Sequence, residues 1–265
     1  MTYRIEKDTL GEMSVESDKL WGAQTQRAME NFVIGKKRMP IEIIYGITIA
    51  KRAAACANCD LGVMPREKRD LIVKACDEIL AGQWDDQFPL HIWQTGSGTQ
   101  TNMNVNEDIA HRGQQLHGGK LDDYPLFLSP NDDVNQSQST NDIFPTGMRI
   151  AATKMLLELT LPALDRMMAT YQEKVAEYSD IKKIGRTHLM DATPLTLGQE
   201  LSGHLSQLEH GKEAIRNAMR HIMELPIGGT AVGNGLNTPD GYDKLALQYI
   251  NEFTGLTFTN SPNKY

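Results

Sequence analysis

Asn141-Asp142-Ile143-Phe144-Pro145-Thr146-Gly147-Met148-Arg149-Ile150-Ala151-Ala152 opens the stretch whose reading decides the fold, and the stretch continues to Tyr178. Along it Met148, Ala152, Met155, Leu159, Leu164, Met167, Met168, Tyr171 and Val175 recur every three or four positions, the spacing of one face of a helix. Pro145 and Pro162 should kink or interrupt the run without forbidding it. A second run, from Pro194 to about Leu225, repeats Leu197, Leu201, Leu205, Leu208, Ile215, Met219 and Ile222. At ~1.5 Å of rise per residue each run spans roughly 45–55 Å. Helices of that length in a water-exposed protein belong to extended bundles, and the 13 methionines suit such a bundle as gap-fillers.

Working outward, residues 1–39 read as irregular with short strand or turn character, punctuated by Gly11, Gly22 and Gly35. Residues 40–61, where Ile43, Ile44, Ile47 and Ala54 recur at helical spacing, and residues 65–81 read as helices, each entered through a proline that suits a first turn. A further helix follows the polar segment Gln94–Asn102 and runs to Leu116, closed by Gly118-Gly119. Residues 120–138 read as loop. Asp240–Thr254 reads as a helix, with Thr238 as its cap and Pro239 in its first turn. The expected fold is mainly α. A mixed, mostly helical N-terminal domain, residues 1–138, precedes an incomplete long-helix bundle domain, residues 139–265.

Composition narrows the function. The net charge of −7 disfavours nucleic acid and acidic membrane surfaces as partners. No stretch approaches the ~18 consecutive apolar residues of a membrane span, and Met1–Lys7 has no apolar core of a signal peptide. A cytoplasmic location is expected. Cys56, Cys59 and Cys76 form no disulfide framework. Cys56-x-x-Cys59 has the spacing of half a redox or zinc site, but it has no second pair. Its Ala-rich helical setting favours small residues on a packed face.

Three polar stretches precede predicted helices: Gln94–Asn102, Asn135–Asp142 and Gly185–Pro194. A helix start offers unpaired N–H groups and partial positive charge, so three of them converging could bind a carboxylate or phosphate without net positive charge. Glycines at 96 and 98 would let the backbone approach a ligand. Capping alone explains one such stretch, since Ser, Thr and Asn commonly cap helices. Capping needs one residue, however, and each of these stretches spends five or more. Histidine is the side chain best suited to proton transfer at neutral pH, which makes His188 a candidate against the general preference of a lone histidine for a structural role. The other histidines lack metal-ligand spacing, and Asp122-Asp123 and Asp132-Asp133 lack the calcium-loop pattern, so no metal is expected. Gly228-Gly229-Thr230-Ala231-Val232-Gly233-Asn234-Gly235 lacks the Walker lysine and reads as a tight turn after the second long helix.

Together these residues resemble class II fumarase. The resemblance lies in Trp93-Gln94-Thr95-Gly96-Ser97-Gly98-Thr99-Gln100 with Asn102–Glu107, in Pro130-Asn131-Asp132-Asp133-Val134-Asn135 with Ser137–Asp142, and in Gly185-Arg186-Thr187-His188. Trp21–Arg27 and Gly228–Gly233 resemble the family too, in the family's order along the whole chain. The resemblance implies reversible hydration of fumarate to L-malate with no cofactor. It implies His188 as the catalytic histidine, acting through a water, and Ser97, Gly98, Thr99, Ser139, Thr140, Asn141 and Thr187 as substrate-binding positions. It also implies a homotetramer sharing one helical bundle, with each active site built from several subunits.

The sequence departs from the family in two places. The family's Gly-Ser-Ser-x-Met-Pro-x-Lys-x-Asn loop, with its catalytic serine and substrate-binding lysine, is not among these 265 residues. The chain is therefore expected to be the N-terminal portion of a longer one and inactive alone. Asn131 and Asp132 match the family's secondary anion site, but Leu126 and Ser129 stand where an arginine and a histidine are usual. Two other readings compete: a non-catalytic helical subunit or interaction module, and an aspartate ammonia-lyase of the same superfamily. His188 disfavours the second, because the aspartases compared carry glutamine there.

Overall fold

The computed structural model describes residues 2–265. The chain divides into two compact units: residues up to Ala151 together with Met223–Tyr265, and Ala152–Ile222. This division does not coincide with a boundary at 138/139. The return segment from Met223 joins the N-terminal part because Tyr242, Ala246 and Ile250 pack into one cluster with Ala50, Ala53, Ala54 and Ala57.

The first unit opens with an antiparallel hairpin, β1 (Tyr3–Asp8) and β2 (Gly11–Glu16). The helices α1 (Ala23–Asn31), α2 (Ile41–Asp60), α3 (Arg66–Leu80), α4 (Thr99–Leu116) and α5 (Thr140–Met155) follow, and α5 crosses the boundary between the units. Then come β5 (Glu224–Leu225), α8 (Tyr242–Thr254) and β6 (Thr259–Asn260), with β5 and β6 paired in parallel. The second unit holds α6 (Leu161–Glu177), β3 (Lys182–Thr187), β4 (Met190–Thr196) and α7 (Leu197–Ile222). The mainly α expectation holds, with every predicted helix present.

α2 is the centre of the first unit. Ile44 and Ile47 pack with Ile72, Ile79, Val105 and Ile109 on one side. Its alanine face packs with Ile143, Ile150 and α8 on the other. Ala-rich surfaces let helices approach closely, and Gly46 and Gly147 mark the tightest point. A Cβ on Gly46 would lie 2.1 Å from the Gly147 carbonyl oxygen. The cysteines fit this packing, Cys56 and Cys76 being buried and all three free.

Three expectations need correction. Residues 23–31 are a helix, not irregular, because the carboxylate of Glu107 on α4 caps it. The N–H groups of Gly22, Gln24 and Thr25 all donate to Glu107, at 2.9, 2.8 and 3.1 Å. A cap supplied from over 80 residues away leaves no local signature. Thr238 does not cap α8. Its hydroxyl donates to the Gly235 carbonyl, and left-handed Gly241 (φ 82°) delays the helix to Tyr242. Finally, Gly185–Pro194 does not lead directly into a helix. It forms most of the β3–β4 hairpin, with His188 (φ 49°) and Leu189 (φ 60°) as its two turn residues. Paired positive φ values give a turn whose twist matches the flanking strands.

In the second unit a wide helical turn at Leu156–Thr160 leads into α6, and Pro162 occupies the first turn of α6. Pro145 is accommodated inside α5. Between Ala152 and Ile222 the hydrophobic side chains buried in the described chain are Leu161 and Met219, whereas Leu159 and Met167 are 60% and 48% exposed. The other residues of the apolar stripes that predicted a bundle, among them Leu164, Leu201, Leu205, Leu208 and Ile215, are mostly half-buried.

Candidate functional site

The stretch before α4 folds back on itself. Gly98 N–H donates to the Thr95 carbonyl at 3.0 Å, and Gly98 has φ 75°. A Cβ there would sit 2.6 Å from the Phe144 ring, so glycine is required by both backbone and space. The Gln94 carboxamide oxygen caps the helix by accepting from Thr101 N–H and the Thr101 hydroxyl, at 3.0 and 2.9 Å. That leaves the hydroxyls of Ser97 and Thr99, 2.8 Å apart, exposed at the helix start.

The stretch before α5 is capped reciprocally. Ser139 Oγ accepts from Asn141 N–H at 3.3 Å, and Asp142 Oδ1 accepts from Ser139 N–H at 2.9 Å, the logic of a capping box. Asn102 on α4 donates to Thr140 Oγ1 at 3.0 Å and to Asn135 Oδ1 at 3.3 Å, tying the two helix starts together. Beneath them the fully buried Lys51 ammonium donates to Asn135 Oδ1 and Gln138 Oε1 at 3.2 and 3.1 Å. Burial drives the Lys51 pKa down to about 7, against the opposing pull of Cys76 and Asp142. The Asp142 carboxyl is pushed up by burial and held back by backbone N–H donors and Lys51.

The predicted turn after the second long helix supplies the facing wall. Gly228 and Thr230 N–H both donate to Asp142 Oδ2 at 3.0 Å, and Asn141 Nδ2 donates to the Ala231 carbonyl at 2.8 Å. Between the walls lies a cleft of about 710 Å³ lined by Thr99, Asn102, Asn135, Ser139, Thr140 and Asn234 among others. That is within the size range of small-molecule sites. Among the described residues lining it, Asp132 alone carries a formal charge. The cleft is therefore rich in hydroxyl, amide and helix-start N–H donors, and its fixed dipoles favour an anion.

Of the residues singled out from sequence, Thr99, Ser139, Thr140, Asn131 and Asp132 line this cleft. Ser97 and Gly98 adjoin Thr99, and Asn141 binds the opposite wall. Asn131 also lines a neighbouring cavity of about 440 Å³ together with Glu6, Glu107, His111, Leu126 and Ser129. That cavity is rich in carboxylates. Thr187 and His188 belong to the second unit, exposed at the hairpin tip, where Arg186 and Asp191 form an exposed ion pair at 3.0 Å. Among the described residues no group of three or more His, Cys, Asp or Glu side chains is placed to hold a metal.

Sequence reasoning missed Lys51 and the role of residues 230–237, and it included Asn102 and Asp142 in the polar stretches without giving either a role of its own. Lys51 did leave a signal. It stands four residues after Ile47 and three before Ala54, a lysine on the face that buries α2. Asp142 left none beyond its capping position.

The family described as Lyase matches residues 11–265. Fumarate hydratase class II of Pasteurella multocida (strain Pm70) is 57% identical over the whole of this chain. The enzyme of that name from Bacillus subtilis (strain 168) is 51% identical, again over the whole chain. In both cases the chain spans 57% of the relative's length. The crystal structure of recombinant class II fumarase from Schistosoma mansoni superposes with a TM-score of 0.95 at 40% identity, covering 100% of this chain and 58% of that one. A match over nearly the whole chain, joined to a fold superposing this closely, shows that the chain belongs to the lyase family.

Proposed function

We propose that these residues form part of a class II fumarase that interconverts fumarate and L-malate. The observation that carries the reading is the donor-rich, nearly charge-free cleft at the starts of α4 and α5. Ser97, Gly98, Thr99, Ser139, Thr140, Asn141 and Thr187 bind the dicarboxylate. A base removes a proton from carbon 3 of malate, and the resulting aci-carboxylate accumulates charge that oriented hydroxyl, amide and backbone donors stabilise. An acid then assists departure of hydroxide. His188 transfers a proton through a water. Its exposed position at a hairpin tip suits a residue that serves a site assembled from several subunits of a homotetramer. The exposed stripe residues Met155, Leu159 and Met167 support that assembly, since an apolar face left this open buries little by itself.

The whole protein is read as cytoplasmic and cofactor-independent, with an N-terminal lyase domain over 1–138 and a central bundle domain beginning at 139. Asn131 and Asp132 contribute to a secondary anion site weakened by Leu126 and Ser129. The exposed Asp132 carboxylate beside the Ser129 hydroxyl, at 3.1 Å, supports that weakening.

Fumarate hydration, followed by loss of fumarate's ultraviolet absorbance, tests the reading. The complete polypeptide containing these residues is expected to turn over fumarate and to release no ammonia from aspartate. These 265 residues alone are expected to have negligible activity. Ammonia release without hydration would replace the reading with an ammonia-lyase. Binding without turnover by the complete polypeptide would favour a non-catalytic subunit.

A further inference from the structure

We infer that Asp142 is a positioning residue that sets the separation of the two cleft walls and so the affinity for the dicarboxylate; this rests on the fumarase reading. Asp142 is 2% exposed and does not line the cleft, yet both walls end on it. One oxygen, Oδ1, accepts from Ser139 N–H at 2.9 Å, in the wall formed by the start of α5. The other, Oδ2, accepts from Gly228 and Thr230 N–H, each at 3.0 Å, in the opposite wall.

The second wall is built to receive a carboxylate. Gly228 (φ 81°) and Thr230 (φ 57°) both have left-handed backbone, and their N–H groups converge on one oxygen. Converging backbone N–H groups make an anion-binding concavity, and here the anion is a side chain from the facing wall. A left-handed threonine is uncommon and needs surrounding structure to hold it. The clamp joins segments 86 and 88 residues apart in sequence. Lys51 braces the first wall from below through Asn135 and Gln138, and its charge attracts Asp142. Thr140 and Ala231, which line the cleft, are each within two residues of an atom in the clamp.

Asp142→Asn keeps the shape but replaces one oxygen with an N–H₂ group, which cannot accept from backbone N–H. The walls then lose at least one charge-assisted bond and part. Measured on the complete polypeptide, Asp142→Asn is expected to raise KM for fumarate about tenfold, the effect of one such bond. kcat should change less than about threefold, because each donor keeps its orientation within its own wall and only the separation of the walls, which substrate and aci-carboxylate both span, is altered. A structural control must lie away from both walls. Asp243 packs on Gly228 and is no control, so the control is Glu78→Gln: Glu78 accepts from Arg112 Nη2 at 3.0 Å between α3 and α4, neither residue lines the cleft, and the loss should lower the melting temperature and leave KM unchanged.

A folded Asp142→Asn protein with KM within twofold of the parent overturns the inference. Should that variant not fold, hydrogen exchange on the unmutated protein decides. The Gly228 and Thr230 amides should exchange far more slowly than those of Val232 and Asn234, and more slowly again with succinate bound. Exchange as fast as at Val232 and Asn234, or no response to succinate, overturns the inference. If the unmutated protein does not hydrate fumarate, the fumarase reading itself has failed, and the exchange rates without succinate still decide whether the clamp exists.

Discussion

The starts of α4 and α5 and the tip of the β3–β4 hairpin look alike in sequence, as uncharged polar stretches with glycine or proline nearby, yet they fold by opposite rules. At the helix starts nearly every polar group has a partner. Gln94, Asn102, Asn135, Gln138 and Asp142 hold one another and the backbone, with Lys51 buried beneath them. At the hairpin tip His188 and Leu189 form a turn closed by the pairing of Thr187 with Met190 and flanked by the exposed Arg186–Asp191 ion pair, and Leu189 is 93% exposed. The difference separates two tasks. A preorganised cleft suits the fixing of donors where charge would develop in the proposed reaction, whereas an exposed tip suits the proposed reach of His188 to a site it does not itself enclose.

The largest expected effect tests the second task. In the complete polypeptide, His188→Asn should lower kcat for fumarate hydration by 10²-fold or more, the usual contribution of a positioned acid or base. Its circular dichroism should match the parent. A loss under tenfold would return His188 to a structural role and end the contrast.

Acid should then separate the regions by stability. In the first unit burial alone would raise the Glu6 pKa. Hydrogen bonds and charge from His111, followed by hydrogen bonds from Tyr124 and Arg4, outweigh burial and bring it from 4.5 to about 2. A depressed carboxyl contributes stability that is complete above its unfolded value and is lost as pH falls through the folded value. Between about pH 4.5 and 2 the first unit should therefore lose roughly 3 kcal/mol, at 1.36 kcal/mol per unit. The exposed Arg186–Asp191 pair supplies no comparable anchor. Acid titration followed by residue-resolved hydrogen exchange checks this, and earlier opening of β3–β4 would reverse it.

Ser139→Ala probes the cap at the start of α5. Losing the acceptor for Asn141 N–H should cost about 1 kcal/mol of stability, and the missing donor should weaken succinate binding in the complete polypeptide. Calorimetric titration and thermal melting read the two effects, and a variant that moved neither would show the cap to be idle. The smallest effect belongs to the tip. Leu189→Gly removes the left-handed penalty at φ 60°, and the greater freedom of the unfolded glycine offsets part of the gain. The hairpin should become more stable by under about 1 kcal/mol, seen as slower exchange of β3 and β4 amides. Faster exchange would mean that the leucine side chain itself holds the turn.

Much of this was legible in sequence because periodicity is local. The spacing of Ile43, Ile44, Ile47 and Ala54 located α2, and Leu197–Ile222 located α7. The donor-rich stretches around Ser97 and Ser139 announced a site through density of hydroxyls and amides. The three misplaced elements share one cause, since each depends on what a distant residue or a backbone angle does. α1 needed Glu107, α8 was delayed by the left-handed Gly241, and His188 occupies a turn that is usually given to asparagine or glycine.

By itself the amino-acid sequence determined that the chain is mainly helical, where its long helices run, and where its hydroxyl- and amide-rich stretches lie. These follow from side-chain periodicity and composition, which need no tertiary partner to be read. Only the tertiary structure decided which polar stretches meet. It put the 228–237 turn opposite the start of α5, buried Lys51 beneath them, and joined the walls through Asp142. Such contacts close loops of more than 80 residues. Their stability comes from the packing of α2, α5 and α8 around one core, and no local pattern encodes where that packing will bring two segments together.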